Sequence, residues 1–301
     1  MDALDNWLKA VRADGVVLAR TRVAGPWGFR VTKRDAAIFH LVAEGHAFVR
    51  QPGAAPFELV AGELVLFPAG DAHEVTQSMR GKSIPLDQFL ALHDGVTDQA
   101  AQATTLLCGE FRLDQHLAMP AIRALPSVVH VRATETPRRS ALTDTLRLLR
   151  AEVETTNFGN HIVVRSLISA LFVYFMRNWA ETAEMHDDWF SAVRAPHTAR
   201  ALARMHDAPE KPWTLENLAI EAGLSRAAFA RQFSSMVGEP PHKYLTRWRM
   251  GIASQLLVNT GLRVSEIAAR VGYESEFSFS RAFKRMRGTS PMSYRSSAPI
   301  K

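Results

Sequence analysis

A second cysteine is absent from these 301 residues, so no disulfide can close within the chain and Cys108 is either packing or chemistry. Also absent is any run of 18 or more apolar residues free of charge, which argues against a membrane-spanning helix. The first ten residues carry Asp2, Asp5 and Lys9 where a secretion signal has a basic start and an apolar stretch. The expected location is therefore the cytoplasm, with no membrane contact. Acidic side chains are scarce in one region only. Residues 196–301 hold 16 basic and 8 acidic side chains, against 20 and 22 in residues 1–195. Such an asymmetry is the footprint of a nucleic-acid-binding module. The length exceeds what one core usually supports and predicts more than one domain.

The basic region contains an internal repeat. Leu218-Ala219 and Gly223 recur as Ile267-Ala268 and Gly272, at an offset of 49. After one inserted residue, Phe229, Arg231, Phe233, Met236, Gly238, Pro241 and Tyr244 recur as Phe279, Arg281, Phe283, Met286, Gly288, Pro291 and Tyr294. Each copy reads as helix, tight turn, helix. An amphipathic stretch (215–222; 264–271) ends at a glycine able to take positive φ, and Ser225 supplies an N-cap for the next helix. In the second copy the cap is Glu274 or Ser275. Phe229, Phe233 and Met236, like Phe279, Phe283 and Met286, fall at i, i+4 and i+7 and predict a buried stripe.

The period then fixes the opposite face: Arg226, Ala227, Ala230, Arg231 and Ser234 in the first copy, Glu276, Phe277, Ser280, Arg281 and Lys284 in the second. A helix with short and basic side chains toward its start, held by another helix across a glycine turn, suits a DNA major groove. Arg231 and Arg281 are suited to bidentate contacts with guanine or to clamping phosphate. Residues 242–258 predict one connecting helix of roughly 25 Å. With the width of the units this approaches the ~34 Å of a DNA turn, so one chain can address successive major grooves.

Pro212-Trp213-Thr214-Leu215, Gly223-Leu224-Ser225, Trp248-Arg249-Met250, Val271-Gly272-Tyr273, Phe279-Ser280-Arg281-Ala282-Phe283-Lys284 and Ser290-Pro291 resemble the signature of the AraC/XylS regulators. The resemblance implies double-stranded DNA and RNA polymerase as partners, a homodimer, and base-facing residues Arg226, Ala227, Ala230, Arg231, Glu276, Phe277, Ser280 and Arg281, with activation and repression both open. Ser225 and Lys284 complete the expected DNA-binding set.

Residues 16–132 read as short strands punctuated by Gly and Pro: 29–32, 37–43, 46–50, 58–59, 64–67 and 127–131. Gly62 to His73 fits G-x5-P-x-G-x2-H and resembles the second motif of cupins. Pro26-Trp27-Gly28, Cys108-Gly109 and Leu125-Pro126 resemble the cupin-type sensor half of one AraC subgroup. Cupin enzymes bind metal through H-x-H and a Glu, and here Ile38 stands where that Glu is expected. The missing ligands argue against a cupin enzyme and for a sensor of a small molecule, a metal or an oxidant. His40 lies two residues after Ile38, hence on the same strand face. With His73 and Cys108 it forms a zinc-competent set, although a hydrogen-bonded core histidine and a small buried thiol are the plainer readings of each alone.

From Pro137 the pattern turns helical, with Leu142, Leu146, Leu149 and Val153 at spacings of three and four. Residues 160–180 are apolar almost all round and must be buried, against their own barrel or a second chain. The polar stretch 181–188 is the expected linker. The predicted class is α+β: a cupin-like β-barrel or jelly roll (1–132), a helical dimerisation and linker region (133–195), and an all-α domain of two helix-turn-helix units (196–301).

Overall fold

In a computed structural model of the chain the described residues are 3–11, 14–93, 103–132, 140–154, 158–182 and 188–297. They form two compact units. The expected linker lies mostly outside the described residues, as does Pro137.

The first unit is a sandwich of two five-stranded sheets. One holds β1 (Asp14–Val23), β9 (Thr104–Arg112), β3 (Ala37–Glu44), β6 (Leu64–Phe67) and β10 (Val129–Val131) in that order. The other runs β5 (Phe57–Val60), β4 (His46–Arg50), β7 (His73–Thr76), β2 (Gly28–Val31) and β8 (Ile84–Pro85). Pairing is antiparallel except between β2 and β8. Strand alternation delivers Ile38 and Val42 of β3, Val65 and Phe67 of β6, Leu106 and Cys108 of β9, and Phe29 and Val75 of the facing sheet into one core.

The alternate residues of β3, Ala37, Phe39, Leu41 and Ala43, are buried as well. Helices cover that outer face: Leu142 and Leu146 of α4 (Ala141–Glu154) and Leu171, Phe172 and Phe175 of α5 (Asn160–Thr182) meet Leu64, Leu66, Phe111 and Val131. The apolar helix expected at 160–180 is thus seated on its own sheet, with Ile162 and Val163 left exposed. A short helix, α2 (Leu86–His93), adds Leu86 and Phe89 to the inner core.

The second unit is all helical and is gathered from three stretches of chain. The C-terminal stretch supplies α6 (Trp189–Arg194), α7 (Pro196–Asp207), α8 (Leu215–Ala222), α9 (Arg226–Val237), α10 (Pro241–Asn259), α11 (Val264–Arg270), α12 (Glu276–Arg287) and α13 (Pro291–Ser297). Two helices from earlier in the chain join them, α1 (Ala3–Val11) and α3 (Gln115–Arg123). Linear boundaries drawn at residues 132 and 195 place both with the barrel; contact places them here. Trp7 of α1 is buried, packs tilted against Trp189 with ring centroids 4.7 Å apart and donates its indole N–H to the Leu117 carbonyl at 3.0 Å. Leu117 fills the space above Gly251 of α10, where an added Cβ would stand 2.4 Å from its Cγ.

Candidate nucleic-acid interface and sensor site

Both copies of the repeat fold as the pattern predicts. α8 stops at Gly223 with φ 68°, and Ser225 accepts a hydrogen bond from the Ala228 amide at 3.3 Å to open α9. In the second copy Gly272 takes φ 79° and the cap is Ser275, accepting from the Ser278 amide at 3.2 Å. Phe229, Phe233, Phe279 and Phe283 are fully buried, each ring contributing on the order of 2–3 kcal/mol. Met236 and Met286 are half-buried beside them.

That burial turns the opposite faces outward. Ser225, Arg226, Ala227 and Arg231 are exposed, as are Glu276, Phe277, Arg281 and Lys284, while Ala230 and Ser280 sit half-buried at the edge. The ring of Phe277 is 71% exposed, an unusual cost for an aromatic side chain in water, and the Arg281 guanidinium lies 5.6 Å over it. α10 spans 19 residues between the two helix-turn-helix motifs, roughly 28 Å at helical rise.

The sandwich core brings His40, His73 and Cys108 together, 1–2% exposed. They form a chain. Cys108 Sγ lies 3.0 Å from His40 Nδ1, His40 Nε2 lies 2.8 Å from His73 Nε2, and His73 Nδ1 lies 2.7 Å from the Asp71 carbonyl. A carbonyl only accepts, so His73 Nδ1 donates to it. A neutral imidazole has one N–H, so His73 Nε2 accepts from His40 Nε2–H, His40 Nδ1 accepts in turn, and Cys108 donates its S–H.

The electrostatics agree with that assignment. Burial lowers His40 well below the ordinary imidazole value, helped by His73, and lowers His73 to about 4. It pushes the Cys108 thiol up to about 12. All three side chains are neutral. Phe67 stacks on His73 at 3.6 Å and Phe29 packs 5.3 Å from His40, so the chain is enclosed by rings.

This geometry does not fit zinc. His73 and Cys108 occupy opposite ring nitrogens of His40, so the three donors do not converge on one point as tetrahedral coordination requires. Among the described residues no group of three His, Cys, Asp or Glu side chains is disposed to hold a metal ion. The Asp71 carbonyl that ends the chain was invisible in the sequence, since a backbone acceptor carries no residue signature.

Comparison with known proteins agrees with this anatomy. The family described as Cupin matches residues 2–181, and the helix-turn-helix domain family matches residues 218–297. The HTH-type transcriptional regulator AlkR of Acinetobacter baylyi is 32% identical over 98% of this chain and 99% of its own length. A putative AraC-like transcription regulator of Streptomyces lividans is 28% identical over 98% of both chains. The RCS-specific HTH-type transcriptional activator RclR of Escherichia coli is 26% identical over 98% of this chain and 97% of its own. With two helix-turn-helix units behind a cupin sandwich, and relatives that match from end to end, the chain belongs to the AraC/XylS family of DNA-binding transcription regulators.

Proposed function

We propose that this regulator reads a two-part operator through α9 and α12, and that its cupin sandwich senses a small uncharged molecule or oxidant through the Cys108–His40–His73 chain. One observation carries the DNA-reading half. In two matched copies, capped helices bury their phenylalanines and present Arg226 and Arg231, or Arg281 and Lys284, on the free face. Arg231 and Arg281 make base or phosphate contacts, Phe277 and Ala227 meet thymine methyls, and Ser225 and Ser280 take backbone or base-edge hydrogen bonds.

An uncharged effector follows from the core. Its Cys108, His40 and His73 side chains are neutral and hydrogen-bonded to one another within an apolar shell, and a charged effector would have to shed its hydration to enter. A change at the thiol breaks the chain at its first link and leaves the His40 acceptor without its donor. The role is regulation and not catalysis, exercised in the cytoplasm by a homodimer that uses the exposed Ile162 and Val163 edge of α5 and acts through RNA polymerase.

Footprinting on the DNA upstream of the genes it controls tests the reading. Wild type protects two half-sites one helical turn apart, and Arg231→Ala and Arg281→Ala each cost about 1–3 kcal/mol, one half-site apiece. Equal binding to operator and random DNA refutes sequence-specific reading.

A further inference from the structure

Asp114 lies outside both helix-turn-helix sequences, 173 residues before the arginine it holds. We propose that it is a positioning residue for DNA recognition, anchoring the second recognition helix by its last residue. The proposal rests on the reading that α9 and α12 contact DNA.

Arg287 ends α12, just before Gly288 turns the chain at φ 77°. Its Nη2 donates to both oxygens of Asp114, at 2.8 and 3.2 Å, and the two side chains are 6% and 13% exposed. The same carboxylate caps α3, accepting the Leu117 amide at 3.2 Å. α3 is in turn fixed to α10, the helix that joins the two helix-turn-helix motifs. Leu117 sits in the gap above Gly251, and Arg247 of α10 donates to the His116 carbonyl at 2.6 Å while paired with Glu239 at 2.7 Å. Asp114 therefore ties the end of α12 to α10 by a route independent of the packing around Phe279 and Phe283.

The effect on recognition is that of a lever. The DNA-facing residues of α12 lie toward its start, and Phe277 is about 15 Å along the axis from Arg287. A tilt of about 4° about the anchor displaces Phe277 by about 1 Å, enough to spoil hydrogen bonds whose usable range is a few tenths of an ångström. Removing one member of a buried pair leaves the other charge uncompensated, and α12 is then free to adjust.

The test uses the full chain and Asp114→Asn, because asparagine caps helices as well as aspartate and only the charge is lost. Affinity is measured on the operator and on two probes with one half-site scrambled, the half-site of α12 being the one whose protection Arg281→Ala removes. On probes with that half-site intact, Asp114→Asn is expected to bind about tenfold more weakly than wild type, the equivalent of one lost base-pair contact. With it scrambled, the two proteins should bind alike. The double variant Asp114→Asn, Arg287→Gln restores a neutral hydrogen-bonded pair and should recover most of the loss. Wild-type affinity on every probe overturns the proposal. So does weakening of all three probes alike, whether or not the double variant recovers, since that is a purely structural role. A wild type that does not discriminate operator from random DNA sinks the DNA reading itself, and the proposal with it.

Discussion

Acidification from pH 7 to pH 5 should destabilise the helical unit through His206 above all, with His116, which burial also lowers, acting in the same direction. It is buried in α7, 2.7 Å from the Tyr244 hydroxyl, with its ring stacked 3.7 Å from Trp248. Burial lowers it to about 3; a backbone hydrogen bond at Ala3 opposes the shift and Arg247 adds to it. The unfolded chain takes up the proton near pH 6.5, so below that value the unfolded state binds more protons than the folded one. Stability is complete above pH 6.5 and falls as the pH drops toward 3. The slope approaches 1.36 kcal/mol per pH unit, which over 1.5 units gives about 2 kcal/mol at pH 5.

His40 and His73 are lowered in the same direction, so acid weakens the sandwich too, and wild type alone does not isolate His206. The comparison is with His206→Gln, which keeps a partner for Tyr244 and does not titrate. Thermal unfolding followed by circular dichroism and tryptophan fluorescence at pH 7, 6 and 5 should show the two proteins converging. The transition of the helical unit moves about 4–8 °C further for wild type. Parallel pH profiles would refute the reasoning, because they mean that His206 is hydrated or already charged in the folded protein.

Three further outcomes are expected. Cys108→Ser keeps a hydroxyl donor to His40 and should cost less than Cys108→Ala, which leaves a buried acceptor unmet at about 1–3 kcal/mol; denaturant melts of both variants decide. The native thiol, 2% exposed and held protonated, should resist alkylation until the sandwich unfolds, as mass spectrometry along a urea series will show. Gly251→Ala drives a methyl into Leu117 and should cost about 1–3 kcal/mol, whereas Gly223→Ala, with no neighbour nearer than 3.9 Å, carries only its left-handed strain of about 1–2 kcal/mol.

The helix-turn-helix half was legible because its signals are local and doubled: Gly223 and Ser225 mark one boundary, and Gly272 repeats the turn. The barrel was legible where polar and apolar residues alternate or turns punctuate the chain. β9 escaped because every residue from Thr104 to Glu110 is buried, so no alternation shows, and because Gly109 reads as a break. Gly109 is there to admit the ring of Phe39, 2.4 Å from where a Cβ would stand. α3 escaped because Pro120 lies inside it and proline reads as a stop. Of the cluster of Cys108, His40 and His73, the sequence indicated which three side chains meet. It did not indicate their order, which depends on rotamers and on a backbone carbonyl. The Asp114–Arg287 pair has no sequence signal, since neither charge is unusual where it stands.

The three-stretch origin of the helical unit has a bearing on how the protein is made. Trp7 and Val11 of α1 leave the ribosome well ahead of α7, which helps to bury α1 and comes about two hundred residues later. Their apolar surface lacks that cover until α7 is made, and closing a loop of that length is a slow, non-local event. The reading head is therefore finished only after the intervening sandwich has been made. A message cut short before α7 leaves the amphipathic face of α1 as a tag of incompleteness that chaperones and proteases can read.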